Sequence, residues 1–189
     1  MDKYEQLKEM MKKSGAHLEG HFRLTSGLHS GNYIQCARLL AIPKYAAFAG
    51  QMLAEKLREL KPDFVTAPAI GGLIIGHEVA RFLNIPFLFC ERDDKREMSI
   101  RRFEFPENSS AVVVEDVITT GGSTMEVGRV LQQNGVTWCG SGVIVNRSGG
   151  KHELHHQPIS LWKVDFEVWQ PESCPLCAKG MPVVKPGSR

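Results

Sequence analysis

No run of the 189-residue chain reaches the roughly 18 consecutive apolar residues that a membrane helix needs, which excludes a spanning helix. The first residues, Met1-Asp2-Lys3-Tyr4-Glu5-Gln6, lack the apolar stretch of a signal peptide and carry acids foreign to a transit peptide, so a cytoplasmic protein is expected. Neither sign of charge is in excess. The 23 Lys and Arg against 21 Asp and Glu leave a net +2, so no global field draws the chain to nucleic acid or to an anionic membrane. Any anion has to be caught by local geometry. Internal repeats, low-complexity tracts and Ser/Gly/Pro linkers are lacking too, and the length fits one domain. Cysteine is sparse and odd in number, at five, which excludes a disulfide scaffold. Cys90 and Cys139 sit inside apolar runs and read as small buried hydrophobes.

What is present is the composition of a globular domain, with 42% hydrophobic and 23% charged residues. Tyr4, Leu7, Met10 and Met11 recur at helical spacing over residues 3–13, and Gly15 follows as a stop. A longer helix begins after Pro43, with Ala46, Ala47, Met52, Leu53, Leu57 and Leu60 on one face, and ends before Pro62. Strands and helices then alternate: strand 64–67, helix 72–83, strand 86–90, strand 111–114, helix 124–133 and strand 136–145. Short, continuously apolar strands separated by helices belong to a parallel sheet covered on both faces, so the fold class is α/β. The segment 171–189 has little apolar periodicity and reads as an extended tail lying on the surface.

The chemistry concentrates in Val112-Val113-Val114-Glu115-Asp116-Val117-Ile118-Thr119-Thr120-Gly121-Gly122-Ser123-Thr124. This is a buried strand, an acidic pair, and a turn of small residues feeding a helix. Ligands of open α/β sheets bind at the carboxyl ends of strands, which is where the acids fall. The glycines let a backbone approach closely, and the helix N-terminus offers unpaired N–H groups, so the turn over Thr119–Thr124 suits a phosphate. Carboxylates repel a phosphate, so Glu115 and Asp116 must face hydroxyls or a cation, and a sugar phosphate satisfies both needs. No Gly-Lys-Ser or Gly-Lys-Thr follows the turn, which disfavours nucleoside triphosphate hydrolysis.

This string resembles the phosphoribosyl pyrophosphate (PRPP) signature of the type I phosphoribosyltransferases. The stretch Gly20-His21-Phe22-Arg23-Leu24-Thr25-Ser26-Gly27-Leu28-His29-Ser30 is similar to the opening of the orotate-specific branch, which purine-specific relatives lack. Met98-Ser99-Ile100-Arg101-Arg102-Phe103, Cys174-Pro175-Leu176-Cys177 and Pro186-Gly187-Ser188-Arg189 extend the likeness to a bacterial part of that branch. The resemblance implies a central, mostly parallel sheet flanked by helices, with an N-terminal hood at residues 1–42, a core at 43–170 and the tail. It implies PRPP and orotate as substrates, with Mg²⁺ bound through PRPP rather than by protein ligands, and a homodimer whose flap is shared between subunits.

Carried over residue by residue, Glu115 and Asp116 accept the ribose hydroxyls. Val117, Ile118, Thr119, Thr120, Gly121, Gly122 and Ser123 bind PRPP, with Thr120–Ser123 holding the 5′-phosphate. Ala69, Ile70, Gly71 and Gly72 form a backbone loop for pyrophosphate; Gly71 stands where many members carry Lys. Thr119, Thr25, Ser26 and Arg147 contact orotate, the guanidinium gripping its carboxylate. Arg92 is a flap cation, and Lys95 or Arg96 supplies the essential one. The rival readings are a purine or xanthine phosphoribosyltransferase and an RNA-binding regulator on the same scaffold. The near-neutral charge offers the regulator no basic bias.

Two other patterns are set aside at this point. His152-Glu153-Leu154-His155-His156 matches H-E-x-x-H, but Gly149-Gly150 and Pro158 leave barely two turns for the helix that a zinc-protease site needs. Cys174 and Cys177 have no second Cys-x-x-Cys, and only His155 and His156 are evident to complete a metal site, so a simple turn is expected there.

Overall fold

A computed structural model describes residues 2–186. Helix α1 (Lys3–Lys13) is capped by Asp2, whose carboxylate accepts the Tyr4 N–H at 2.6 Å, and it carries Lys12 and Lys13 in its last turn, where the dipole favours cations. Strands β1 (His17–Arg23) and β2 (His29–Ile34) pair antiparallel across a turn closed by the Leu24 N–H donating to the Leu28 carbonyl at 2.8 Å. Gly27 takes φ +87° there, a conformation in which a side chain is strained. Helices α2 (Cys36–Leu40) and α3 (Pro43–Leu57) follow, with Pro43 in the first turn, where its missing N–H costs nothing.

The alternation then runs β3 (Phe64–Pro68), α4 (Gly72–Leu83), β4 (Phe87–Arg92), β5 (Met98–Ser99), β6 (Ser110–Ile118), α5 (Gly122–Gln133), β7 (Thr137–Asn146) and β8 (Ile159–Lys163). The sheet order is β5-β4-β3-β6-β7-β8, parallel throughout except for β5 at one edge. Successive side chains of a strand point to opposite faces. On β6, Val112 and Val114 therefore join the apolar cluster beneath α3 and α4, while Ala111 and Val113 join Val127 and Leu131 of α5 on the other side. Each fully buried valine contributes about 1.5–3 kcal/mol. The α/β class with helices on both faces is the one read from the sequence.

Strand β9 (Val168–Trp169) leaves the core and pairs with β2, so the hood is a three-stranded sheet, β1-β2-β9. Leu7 and Met11 of α1 and Leu39 and Leu40 of α2 lie in the same apolar cluster as α3 and α4, so the first 42 residues share the core. The extended tail needs correction. Residues 171–173 form a 3-10 turn, α6 (Pro175–Ala178) follows, and Cys174 is only 3% exposed. Beyond it Val184 pairs with β1, its N–H donating to the His21 carbonyl and its carbonyl accepting the Arg23 N–H, each at 2.9 Å. The open edge of β1 holds the tail down, a long-range pairing that composition cannot report. Gly187-Ser188-Arg189 lies outside the described residues. Among the described residues no helix is long and apolar enough to cross a membrane.

Candidate active site

Strand β6 runs four residues past the apolar segment expected, because Glu115, Val117 and Ile118 pair with Val143, Val145 and Asn146 of β7. The acidic pair is thus part of the strand, and its backbone is held by the sheet. The Thr124 hydroxyl, fully buried in the first turn of α5, donates to Glu115 Oε2 at 2.5 Å. The Thr124 hydroxyl therefore positions the acid, and what Thr124 offers the turn is its backbone N–H. Burial pushes the Glu115 carboxyl up to about 7, the Thr124 bond partly offsets this, and the neighbouring Asp116 and Glu126 add to it. Burial also raises the Asp116 carboxyl, against the Val117 N–H that donates to its Oδ1 at 2.8 Å.

The residues after β6 enclose a cavity of about 260 Å³ lined by Glu115, Val117–Ser123, Arg92 and Glu126. Gly121 takes φ +85° at the N-cap of α5 and offers no side-chain cap; the Thr120 hydroxyl accepts the Gly122 N–H at 3.4 Å, and the next N–H groups of the first turn are left for a ligand. The Leu154 side chain packs against Gly121, and the Glu153 N–H donates to the Thr120 carbonyl at 2.9 Å, which braces the turn from outside. Ile118 is 1% exposed in a small apolar cluster, so it offers a ligand only backbone atoms.

The loop Ala69–Gly72 lies against Asp116 and the β6 backbone. A Cβ at Gly71 would stand 2.8 Å from Asp116 Oδ1, and one at Gly72 would stand 2.8 Å from the Val114 carbonyl. Close approach of two backbones is what these glycines permit. α4 begins here with no side-chain cap, giving a second helix N-terminus beside the first. Arg147 follows β7, and its N–H donates to the Ile118 carbonyl at 2.8 Å. Burial lowers the Arg147 pKa, yet a guanidinium stays charged. Among the described residues its side chain has no ion pair or hydrogen bond. A half-buried, unpaired cation beside the sheet's carboxyl end has the chemistry to receive an anion.

Not every residue singled out in the sequence converges here. Arg92 does, with a guanidinium nitrogen 2.7 Å from Glu126 Oε2. Lys95 and Arg96 sit at the exposed tip of the β4–β5 hairpin and do not line that cavity, although the Arg96 carbonyl accepts a hydrogen bond from the Arg92 guanidinium at 2.7 Å. That hairpin is closed by Asp93, whose Oδ1 accepts the Lys95 and Glu97 N–H groups at 2.9 Å. Thr25 and Ser26 are exposed in the β1–β2 turn and do not line the cavity. His152–His156 is coil, so its histidines share no helical face. Glu126 went unnoticed in the sequence, though it stands on the turn of α5 after Thr124. Cys174 and Cys177 do not form a plain turn: the tail folds back, onto His21 and His29 rather than His155 and His156.

A parallel sheet that sets two carboxylates above a glycine-lined anion turn defines a sugar-phosphate-binding α/β protein. The chain belongs to the phosphoribosyltransferase family, whose phosphoribosyl transferase domain matches residues 35–175. It is 45% identical over 183 residues to the orotate phosphoribosyltransferase of Thermotoga petrophila, 97% of this chain and 98% of that one. It is 47% identical over 174 residues to the enzyme of the same name from Carboxydothermus hydrogenoformans, 91% of each. A crystal structure of orotate phosphoribosyltransferase from Aeropyrum pernix superposes with a TM-score of 0.69 at 29% identity, covering 84% of this chain and 93% of that one. With so much of both chains in common, its place in the family is the orotate phosphoribosyltransferase branch.

Proposed function

We propose that this chain transfers the 5-phosphoribosyl group of PRPP to orotate, giving orotidine 5′-monophosphate and pyrophosphate, a step of de novo pyrimidine synthesis in the cytoplasm. The observation that carries the reading is the gathering of two half-buried carboxylates, Glu115 on the cavity lining and Asp116 beside Gly71, around the glycine turn that opens α5, with an unpaired Arg147 next to it. The identity of the relatives supports orotate as the base rather than a purine.

A ring nitrogen of orotate attacks C1 of the ribose as the bond to pyrophosphate breaks, and positive charge grows on the sugar. The turn Thr120–Ser123 holds the 5′-phosphate by backbone N–H groups, and Glu115 and Asp116 hold the ribose hydroxyls, fixing C1 for in-line attack. Arg147 grips the orotate carboxylate, while Thr119 and the hood turn with Thr25 and Ser26 close over the base. Ala69–Gly72 receives the leaving pyrophosphate on backbone amides, and Arg92 stands at its edge. Mg²⁺ would be held through PRPP itself, with Asp116 reaching it only by way of the ribose hydroxyls, and when bound it would neutralise leaving-group charge. Lys95 and Arg96 act from a partner subunit of a homodimer. No nucleic acid takes part in this reading.

The test is a panel assay of purified protein with PRPP and Mg²⁺ against orotate, uracil, adenine, hypoxanthine and xanthine. Orotate alone should support rapid pyrophosphate release, and Asp116→Asn should lower that rate at least ~100-fold with an unchanged circular dichroism spectrum. Turnover of a purine in preference to orotate defeats the reading, as does near-normal activity of Asp116→Asn.

A further inference from the structure

Where the tail meets the hood, four metal-ligating side chains aim one donor atom each at a common point. His21 on β1, His29 opening β2, and Cys174 and Cys177 at α6 place these atoms within 4.8 Å of one another. His21 Nε2 lies 2.9 Å from His29 Nδ1, 3.5 Å from Cys174 Sγ and 3.7 Å from Cys177 Sγ, and Cys177 Sγ lies 3.3 Å from His29 Nδ1. Zinc bonds of about 2.0–2.1 Å to nitrogen and 2.3 Å to sulfur give tetrahedral edges of about 3.3–3.8 Å, and the three nitrogen–sulfur separations just named fall in that range.

Hydrogen bonding does not account for the cluster. His21 Nδ1 faces the Met181 carbonyl at 2.8 Å. A carbonyl only accepts, so the imidazole proton sits on Nδ1 and Nε2 presents a bare lone pair. One lone pair accepts one good hydrogen bond, yet three donor atoms crowd it. A cation at their centre satisfies every one of them, and the Met181 carbonyl then fixes the tautomer from behind, as carbonyls do behind zinc-bound histidines. His21, His29 and Cys174 are 3%, 6% and 3% exposed, whereas Cys177 is open to solvent and offers an entry path.

We infer that His21, His29, Cys174 and Cys177 form a structural site for one zinc ion, which staples the tail to the hood. Two imidazoles and two thiolates match the donor softness and number of a closed zinc site, with no open position for catalysis. On binding, each thiol loses its proton to solvent and each sulfur gives an electron pair to the ion; nothing is oxidised. The ion ties segments separated by 153 residues, and it steadies the hairpin whose turn carries Thr25 and Ser26.

The full chain, without a polyhistidine tag and kept reduced, is incubated with ZnCl₂ or CoCl₂, passed through a desalting column and analysed for metal. Zinc should remain at about one per chain, and the cobalt form should show the visible bands of a tetrahedral site with thiolate charge transfer below them. His29→Ala and Cys174→Ser should lose both signals, and Cys139→Ser should keep both. Chelation should lower Tm by at least ~5 °C. Failure of the reduced chain to retain either metal overturns the inference, as does a mass about 2 Da short under the same reductant, which marks a Cys174–Cys177 disulfide. If the variants do not fold, the cobalt spectrum of the unaltered chain decides alone. Every readout is independent of orotate turnover, so this inference and the proposed activity fail separately.

Discussion

Glu115 is the residue whose environment speaks most directly to pH. With its folded pKa near 7 against an ordinary 4.5, the folded chain keeps a proton that the unfolded chain sheds. The stability this proton contributes is complete below pH 4.5 and is lost as pH rises to 7, a loss of about 3 kcal/mol. Glu115→Gln has nothing to ionise and keeps the Thr124 bond, so its Tm advantage over the parent chain should grow by roughly 5–10 °C between pH 4.5 and pH 8. A scanning-calorimetry difference that stays flat with pH contradicts the assignment. For ligand binding the sign reverses, because the ionised acid is the stronger acceptor of ribose hydroxyls. The KM for PRPP should fall as pH passes about 7. Arg147→Ala should raise the KM for orotate about 10–100-fold and leave that for PRPP within a factor of about two, since one charge-assisted contact to the base is removed. Equal loss for both substrates speaks for a structural role.

At the scale of elements, packing between helices is governed by glycine. A Cβ at Gly50 on α3 would stand 2.5 Å from Glu78 Cβ and 3.1 Å from the Glu78 backbone carbon on α4. Backbone cannot swing aside like a side-chain end, so Gly50→Ala should cost about 1–3 kcal/mol and lower Tm by roughly 2–10 °C; a melt matching the parent chain refutes this. Periodicity made such elements legible: α1 and α4 match their expected bounds, and β3 differs by one residue. It stopped short on β6, where Glu115 and Asp116 look like a strand end yet pair with β7. It did not report β8, or β9, a two-residue strand that exists only because β2 has a free edge. For the site, the acids, turn and loop lay in contiguous motifs and were readable. Arg147 was readable only by resemblance. His21, His29 and the Cys pair were not, because no spacing rule joins residues from opposite ends of a chain.

For the whole molecule, the proposed homodimer with a flap shared between subunits has a direct test. A chain with Arg147→Ala has a broken base site and a sound flap, and a chain with Lys95→Ala and Arg96→Ala has the reverse. Mixed after reversible dissociation, they should recover about a quarter of parental activity, because half the dimers are hybrid and each hybrid has one complete site. Recovery of nothing places the flap in its own subunit's site.

The pairing of Val184 with the hairpin that begins at His17 also orders events during synthesis. His21 leaves the ribosome long before Met181, 160 residues later. At about 5–20 residues per second the hairpin waits on the order of ten to thirty seconds for the segment that covers it. Throughout that interval the nascent chain presents an unsatisfied β-edge and uncovered imidazoles, so pauses late in translation prolong its exposure to chaperones and proteases.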